Sequence, residues 1–285
     1  MKDWIISNEP LIRLTVSAGV FGVMAIWEVV GTRRELTAAK SRRWFSNLTV
    51  ILMDTLILRL LFPTAAVGMA LAAENFGWGL FHSVDVPYWL AVLVSVSLLD
   101  FAIYLQHVMV HAIPLLWRLH TVHHADVDCD VTTGIRFHPI EIVLSMLIKL
   151  SVVSVLGPPV LGVLVFEVLL NALAMFNHAN VRIPRRLDRV LRWIIVTPDM
   201  HRIHHSVDET EYRTNFGFNL SWWDRLLGTY LEQPAKGHKG MSIGLENFRD
   251  ARWQTIPRIL AIPFFKQAAL GARCGAVKVR REDQR

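Results

Sequence analysis

Cysteine is almost absent from this chain. Two residues, Cys129 and Cys274, among 285 cannot build a disulfide framework, and neither has the spacing of a thiolate metal site. Cys129 falls in a segment expected to face the cytosol, where thiols stay reduced. The HExxH pattern of a zinc protease is missing. No solenoid repeat and no low-complexity run is present, and the residues after Tyr230 carry no dinucleotide-binding glycine fingerprint. Lysine and arginine are absent from residues 73–87. A net charge of +6 would fit a nucleic-acid binder, but the basic residues gather in the loops between apolar runs, so nucleic acid is excluded as a partner.

What the chain has instead is apolar length. Hydrophobic residues make up 53% of it, and several runs approach the ~20 residues that cross a bilayer. Residues 11–30 form one, 47–73 contain another, and 86–106 form a third. Residues 140–177 suit a hairpin of two short helices, broken at Gly157–Pro158–Pro159, where proline cannot continue the hydrogen-bond ladder. The first run is too long for a cleaved signal and lacks a basic leader, so it reads as a retained helix. The expected fold is an all-α integral membrane protein with about four transmembrane helices and a cytosolic histidine-rich cap. The loop GTRRELTAAKSRRW carries Arg33, Arg34, Lys40, Arg42 and Arg43 and is expected in the cytosol, with the N-terminus and residues 73–87 outside. Residues 180–196 alternate Arg with Leu, Ile and Trp at helical spacing, the pattern of an interfacial amphipathic helix. The tail from Ala272 is polar and basic, and loose order is expected there. Three parts follow: N-terminal helices and basic loop in residues 1–84, a histidine-rich part in 85–232, expected to be catalytic on the resemblance given below, and a cytosolic segment with basic tail in 233–285.

Twelve histidines carry most of the remaining information. His107 and His111 form HxxxH. His120, His123 and His124 form HxxHH, and His201, His204 and His205 repeat it. His138 stands in RFHPIE and His178 in FNHAN. His82 and His238 lie apart and read as surface residues. Positions i and i+4, or i and i+3, share one face of a helix, so these motifs aim imidazoles in common directions. Neutral imidazole is the commonest protein metal ligand. Ten histidines exceed what one tetrahedral or one six-coordinate ion can use, so two metals are the economical account. A bis-histidine haem has no use for adjacent HH pairs. A soluble di-iron bundle uses glutamates, and a transporter places its ligands at mid-membrane rather than at helix ends.

The segments DFAIYLQHVMVH, WRLHTVHH, RFHPIE, FNHAN, TPDMHRIHHS and NFGFNLSWWDRLLGTY together resemble the fatty acid hydroxylase/sterol desaturase superfamily in its bacterial form, over roughly residues 85–230. The resemblance implies two non-haem irons, O2 as co-substrate, and hydroxylation or desaturation of a lipid. It implies metal ligation by His107, His111, His120, His123, His124, His178, His201, His204 and His205, with His138 matching a histidine of the sterol-oxidase branch. No catalytic side chain beyond the metal centre is expected. One departure is Val108, where the family often has arginine. Orienting contacts to the ligands are expected from Asp100, Asp126, Asp199, Asn177 and Asn215, with Asn180 and Glu141 also beside the motifs. Phe176, Trp193, Phe216, Phe218, Trp222 and Trp223 are expected to line a lipid chain's route or to anchor the interface. The short segment before the first span leaves no room for a fused electron carrier. Electrons are therefore expected from a separate redox partner, of ferredoxin, flavodoxin or cytochrome type. The competing reading is a histidine-rich membrane metal-binding protein without catalysis.

Overall fold

The computed structural model describes residue 4 and residues 7–269. Cys274 and the basic tail lie outside the described residues. Among these, the regular elements are helices, joined by three isolated bridges. They are α1 (Glu9–Val30), α2 (Lys40–Leu61), α3 (Ala65–Phe76), α4 (Tyr88–Ala112), α5 (Pro114–His124), α6 (Pro139–Leu156), α7 (Val160–His178), α8 (Arg185–Leu191) and α9 (Pro198–His204), followed by short turns of helix.

Five segments are long and apolar enough to cross a membrane: Glu9–Val30, Lys40–His82, Tyr88–Ala112, Pro139–Leu156 and Val160–His178. The chain is a multi-pass membrane protein with five such spans, not the expected four. The difference lies in residues 140–177. Both arms of that hairpin are full helices, of 18 and 19 residues. At 1.5 Å per residue each reaches roughly 27–29 Å, close to the ~30 Å hydrocarbon core. Gly157 makes the turn between them. Its φ is +57°, and a Cβ there would lie 2.3 Å from the Trp78 carbonyl oxygen, so no side chain fits. The second span is not one straight helix. Phe62 precedes Pro63 and leaves helical geometry (φ −132°, ψ 71°), so α2 ends and α3 starts afresh.

The bundle core joins α3, α4, α6 and α7 through Ala66, Ala70, Leu99, Val153, Val163 and Phe166. Small residues on α3 let the helices approach closely. Within the spans, α1, α6 and α7 share a buried ion triad. Glu167 is 1% exposed and meets Lys149 at 2.9 Å and Arg13 at 2.8 Å. Removing the anion leaves Lys149 without its partner in low dielectric, while Arg13 keeps Glu9 at 2.8 Å, and the loss costs about 3 kcal/mol. Glu167→Ala should therefore lower the thermal transition of the purified protein strongly, whereas the double change Lys149→Met with Glu167→Met should restore much of it.

The histidines gather at one end of the bundle, where α4 and α7 finish and α6 begins. Residues 241–268 wrap α5 from outside through Phe248, Trp253, Ile259 and Ile262, which pack on Val122 and Val50. The amphipathic stretch at 180–196 is helical only over α8, seven residues, because Pro184 cannot donate to a preceding turn and holds Ile183 extended.

Candidate metal centre

Local sequence explains how the imidazoles meet. Pro114 forces Ile113 out of helical geometry (φ −94°, ψ 117°), which ends α4 and turns α5 back upon it. His107 and His111 on α4 then face His120 and His124 on α5. Two groups result. His107, His111, His120, His124 and His204 place one ring nitrogen each within 4.8 Å of one another, and His123, His178, His201 and His205 do the same. All nine are buried.

Each HxxHH motif is split between the groups. Residues i and i+4 stay together, as His120 with His124 and His201 with His205. The middle histidine points to the other group, as His123 and His204 do. Adjacent residues sit 100° apart on a helix, so the two rings of an HH pair point in different directions, and here they enter different groups.

Hydrogen bonding fixes the tautomers. The Nδ1–H groups of His107, His123, His178 and His204 donate to the carbonyl oxygens of Phe216 (2.7 Å), Arg136 (3.2 Å), Ala174 (2.7 Å) and Thr214 (2.9 Å). His120 Nδ1 donates to Glu141 Oε1 at 2.7 Å. A carbonyl only accepts, so the Nε2 atoms of these neutral rings carry bare lone pairs. Those atoms point at one another: His178 Nε2 lies 3.1 Å from His123 Nε2, and His120 Nε2 lies 3.2 Å from His107 Nε2. Two lone pairs cannot bond each other; a cation between them can. Both ring nitrogens of His111, His124 and His205 have no partner among the described residues although buried. Protonation is a poor alternative. Burial, then the neighbouring histidines, drives His123, His124, His201 and His205 well below the usual range, and burial takes His204 down to about 3. The residues fit two bound metal ions.

His138 enters neither group. Its Nδ1 caps α6 by accepting from the Ile140 N–H, and its Nε2 lies 3.2 Å from the Leu260 carbonyl. The His–Pro step explains this, since proline at the first helical position leaves the preceding side chain free to cap. His82 is exposed as expected. His238 is not a surface residue: it is buried 3.7 Å from Asp199, and burial takes it down to about 4.

The five residues expected to orient imidazoles lie one layer further out. Asp100 accepts from Trp223 Nε1 (2.8 Å) and from the Asn219 and Leu220 N–H groups. Asn177 donates to the Phe218 carbonyl, and Asn215, at φ +55°, bridges Met200 and Leu231. Asp199 pairs with Arg33 (2.9 Å) and Arg202, and these cations hold it well below the carboxylate range against its burial. Asp126 pairs with Arg43 through Nε (2.6 Å) and Nη2 (2.8 Å). Burial alone would raise Asp126, yet Arg43, with Arg136 and the Thr133 hydroxyl, holds it at about 2. These residues fix the loops that present the carbonyls.

Sequence reasoning overlooked several contributors. Arg43 is wholly buried and also bonds Asp130 at 2.7 Å. Arg136 donates to the Val122 carbonyl, Asn47 and Gln254. Asp224 accepts from the Phe216 and Gly217 N–H groups, both at 2.8 Å, and so sets the carbonyl that His107 uses. The acidic run DVDCD beside a basic loop was the available signal, but a loop arginine reads first as a topology marker. Among the expected aromatics, Phe216 and Phe218 lie against imidazoles, at 5.2 Å from His111 and 6.0 Å from His107. Phe137 also stacks on His123 at 4.5 Å, whereas Trp193 and Trp222 are exposed.

Residues 92–229 match the family described as fatty acid hydroxylase, a span that holds all nine grouped histidines. The chain belongs to the fatty acid hydroxylase/sterol desaturase superfamily. Among curated superfamily relatives, the ornithine lipid hydroxylase OlsE of Rhizobium tropici is 30% identical over 173 residues, 61% of this chain and 51% of that protein. The alkylglycerol monooxygenase of Xenopus tropicalis is 26% identical over 186 residues, covering 64% and 40%. The very-long-chain aldehyde decarbonylase CER1 of Arabidopsis thaliana is 24% identical over 160 residues, covering 51% and 25%. The chain thus spans about half, or less, of these relatives' lengths. No solved structure matches it.

The superfamily match leaves out Arg33, Arg43, Asn47 and Gln254, so part of what supports the histidines lies outside it. Within it, Gly134 is informative. A Cβ there would lie 2.4 Å from the Ala174 carbonyl oxygen, the partner of His178 Nδ1. Gly134→Ala should shift that carbonyl and loosen the four-histidine group. Because orienting partners are worth about 10–100-fold in metal affinity, a chelator competition should show weakened retention of one metal ion and unchanged retention of the other.

Proposed function

We propose that the chain is a membrane-bound, non-haem di-iron oxygenase that hydroxylates a lipid C–H bond with O2. The observation that carries this reading is the pair of buried histidine groups, with bare Nε2 atoms facing one another at the end of an apolar helix bundle. Two relatives are named for hydroxylation or monooxygenation of lipids, which favours hydroxylation over desaturation.

His107, His111, His120, His124 and His204 would hold one iron, and His123, His178, His201 and His205 the other. Iron bound there would supply the reduction of O2 and the removal of hydrogen from an unactivated C–H bond. The protein's part is to hold five Nδ1–H groups on carbonyls and on Glu141, so that each Nε2 stays bare and aimed inward. Phe137, Phe216, Phe218 and Trp117 wall the imidazoles from water. Insertion of one oxygen atom releases water and consumes two electrons and two protons, which a ferredoxin-, flavodoxin- or cytochrome-type donor would provide. The histidine end is assigned to the cytosol. Arg33, Arg34, Lys40 and Arg43 are engaged within the fold, so that assignment rests on Arg42 and the Lys/Arg-free loop at the opposite end.

The test is to purify the protein, load it with iron, and supply 18O2, a membrane lipid extract and a reductase system. Two iron equivalents and one 18O atom in a lipid product are expected. Two equivalents without any product would favour the non-catalytic metal-binding reading.

A further inference from the structure

A second site lies on the cap, away from the histidines. A cavity of about 1100 Å³ opens between α8 and residues 224–233, and Arg185, Arg189, Arg192, Arg225, Trp193 and Tyr230 line it. Arg225 is clamped flat, its guanidinium 4.4 Å from the Trp193 ring and 3.9 Å from the Tyr230 ring. Arg192 is 3% exposed, and its Nη2 has no acceptor among the described residues. Arg185 and Arg189 are exposed and make no ion pair or hydrogen bond among the described residues. The acidic side chains at this cavity do not balance them. Asp188 is taken by Arg192 at 2.7 Å, Asp224 is taken by backbone N–H groups, and Glu232 is exposed. Three guanidiniums therefore converge without a carboxylate at ion-pair distance, beside a buried donor that lacks an acceptor.

Apolar side chains flank the lining residues in sequence: Leu187, Val190 and Ile194 on one side, and Leu226 and Leu227 on the other, are half or more exposed. Water disfavours such a surface, and the headgroup region of a bilayer accepts it. Guanidinium forks match phosphate oxygens in geometry as well as charge.

We propose that this cavity binds the phosphate of an anionic membrane lipid, with the exposed apolar side chains of these segments seated among the lipid chains. The phosphate would be held by Arg185, Arg189 and Arg225. Binding here does not depend on the metal chemistry proposed above, so the two readings fail separately. The site is nonetheless linked to the histidines, because Asp224 in its wall holds the Phe216 backbone that His107 bonds.

The experiment is calorimetric titration of the detergent-purified full chain with dioctanoyl phosphatidylglycerol, dioctanoyl phosphatidylcholine and inorganic phosphate, in parallel with the double variant Arg185→Gln/Arg189→Gln. Both substituted residues are exposed and unpaired, so the fold should be retained; an unchanged thermal transition verifies this. Saturable binding of the phosphatidylglycerol is expected, weakening as salt is raised, and falling about 30-fold in the double variant. Phosphatidylcholine should bind at least about tenfold more weakly, and millimolar phosphate should not displace the lipid. Equal binding of both lipids, or an unaffected double variant, would overturn the proposal. Displacement by inorganic phosphate would assign the cavity to a free anion instead. Normal lipid binding with loss of reductase-driven turnover in the double variant would assign this face to an acidic protein partner.

Discussion

His124→Ala should weaken, and His205→Ala should abolish, the retention of one metal equivalent by the purified protein, and each should abolish lipid oxidation while the chain still inserts in the membrane. His124 belongs to the five-histidine group and His205 to the four-histidine group. Both rings are buried and both have two ring nitrogens without a partner among the described residues. A buried imidazole with no partner is unfavourable in the metal-free fold, so its position is explained by what it would hold. An orienting partner alone is worth about 10–100-fold in affinity or activity, and loss of a direct donor should exceed about 100-fold. The five-donor group has a spare imidazole, so its site should keep weak affinity in His124→Ala, whereas the four-donor group in His205→Ala should lose its ion on dialysis. His138→Ala, from the capping position on α6, should keep both equivalents. Elemental analysis beside a turnover assay checks all three. Loss of both metals together from either ligand change, or equal loss from His138→Ala, would show that these histidines act through folding.

Arg43→Met should unfold the cap rather than empty the metal site selectively. Arg43 is 0% exposed and satisfies Asp126 and Asp130 at once, with further bonds to the Asp128 carbonyl and the Thr133 hydroxyl. Removing it leaves two carboxylates buried without their cation, at a cost of about 3–5 kcal/mol, a large part of the 5–15 kcal/mol that stabilises a typical domain. The thermal transition should fall steeply and expression should drop. Arg42→Met, one residue away and exposed, should change stability by no more than about 0.5 kcal/mol. The same network sets the acid limit. Asp126 is held at about 2 in the fold, against ~3.9 in an unfolded chain. Its contribution is complete above pH ~4 and disappears as pH falls toward 2. Acid unfolding of the wild-type protein should therefore fall in that window and move to higher pH in Asp130→Asn, which weakens the clamp.

Much of this protein was legible from residue order alone. Apolar runs longer than a bilayer's thickness have few physical destinations, so the membrane class followed from 53% hydrophobic content and its segregation. The histidine motifs declared a metal centre because helical spacing is local: a side chain at i+4 shares the face of i whatever the rest of the chain does. Local signals also fixed the bend at Gly157–Pro159, since proline and glycine act on their own backbone; Pro114 bends the chain by the same local rule, but that bend was not read from the sequence. Other properties needed the fold. The division of each HxxHH between two groups depends on where α4, α7 and α9 stand around α5, and spacing along one helix does not contain that. The five-span count depended on both arms of residues 140–177 being full helices. His138 looked like a ligand and proved to be a helix cap; His238 looked exposed and proved to be buried. Glu141 meets His120 across 21 residues, Asp224 holds the Phe216 backbone that meets His107 across 109, and Arg43 reaches Asp126 across 83. Charge and hydrogen bonding are read locally only when the partners are neighbours in sequence. His178 is aimed by the Ala174 carbonyl of its own helix, whereas His107 and His120 are aimed by the Phe216 carbonyl and the Glu141 carboxylate, both brought to 2.7 Å by tertiary packing.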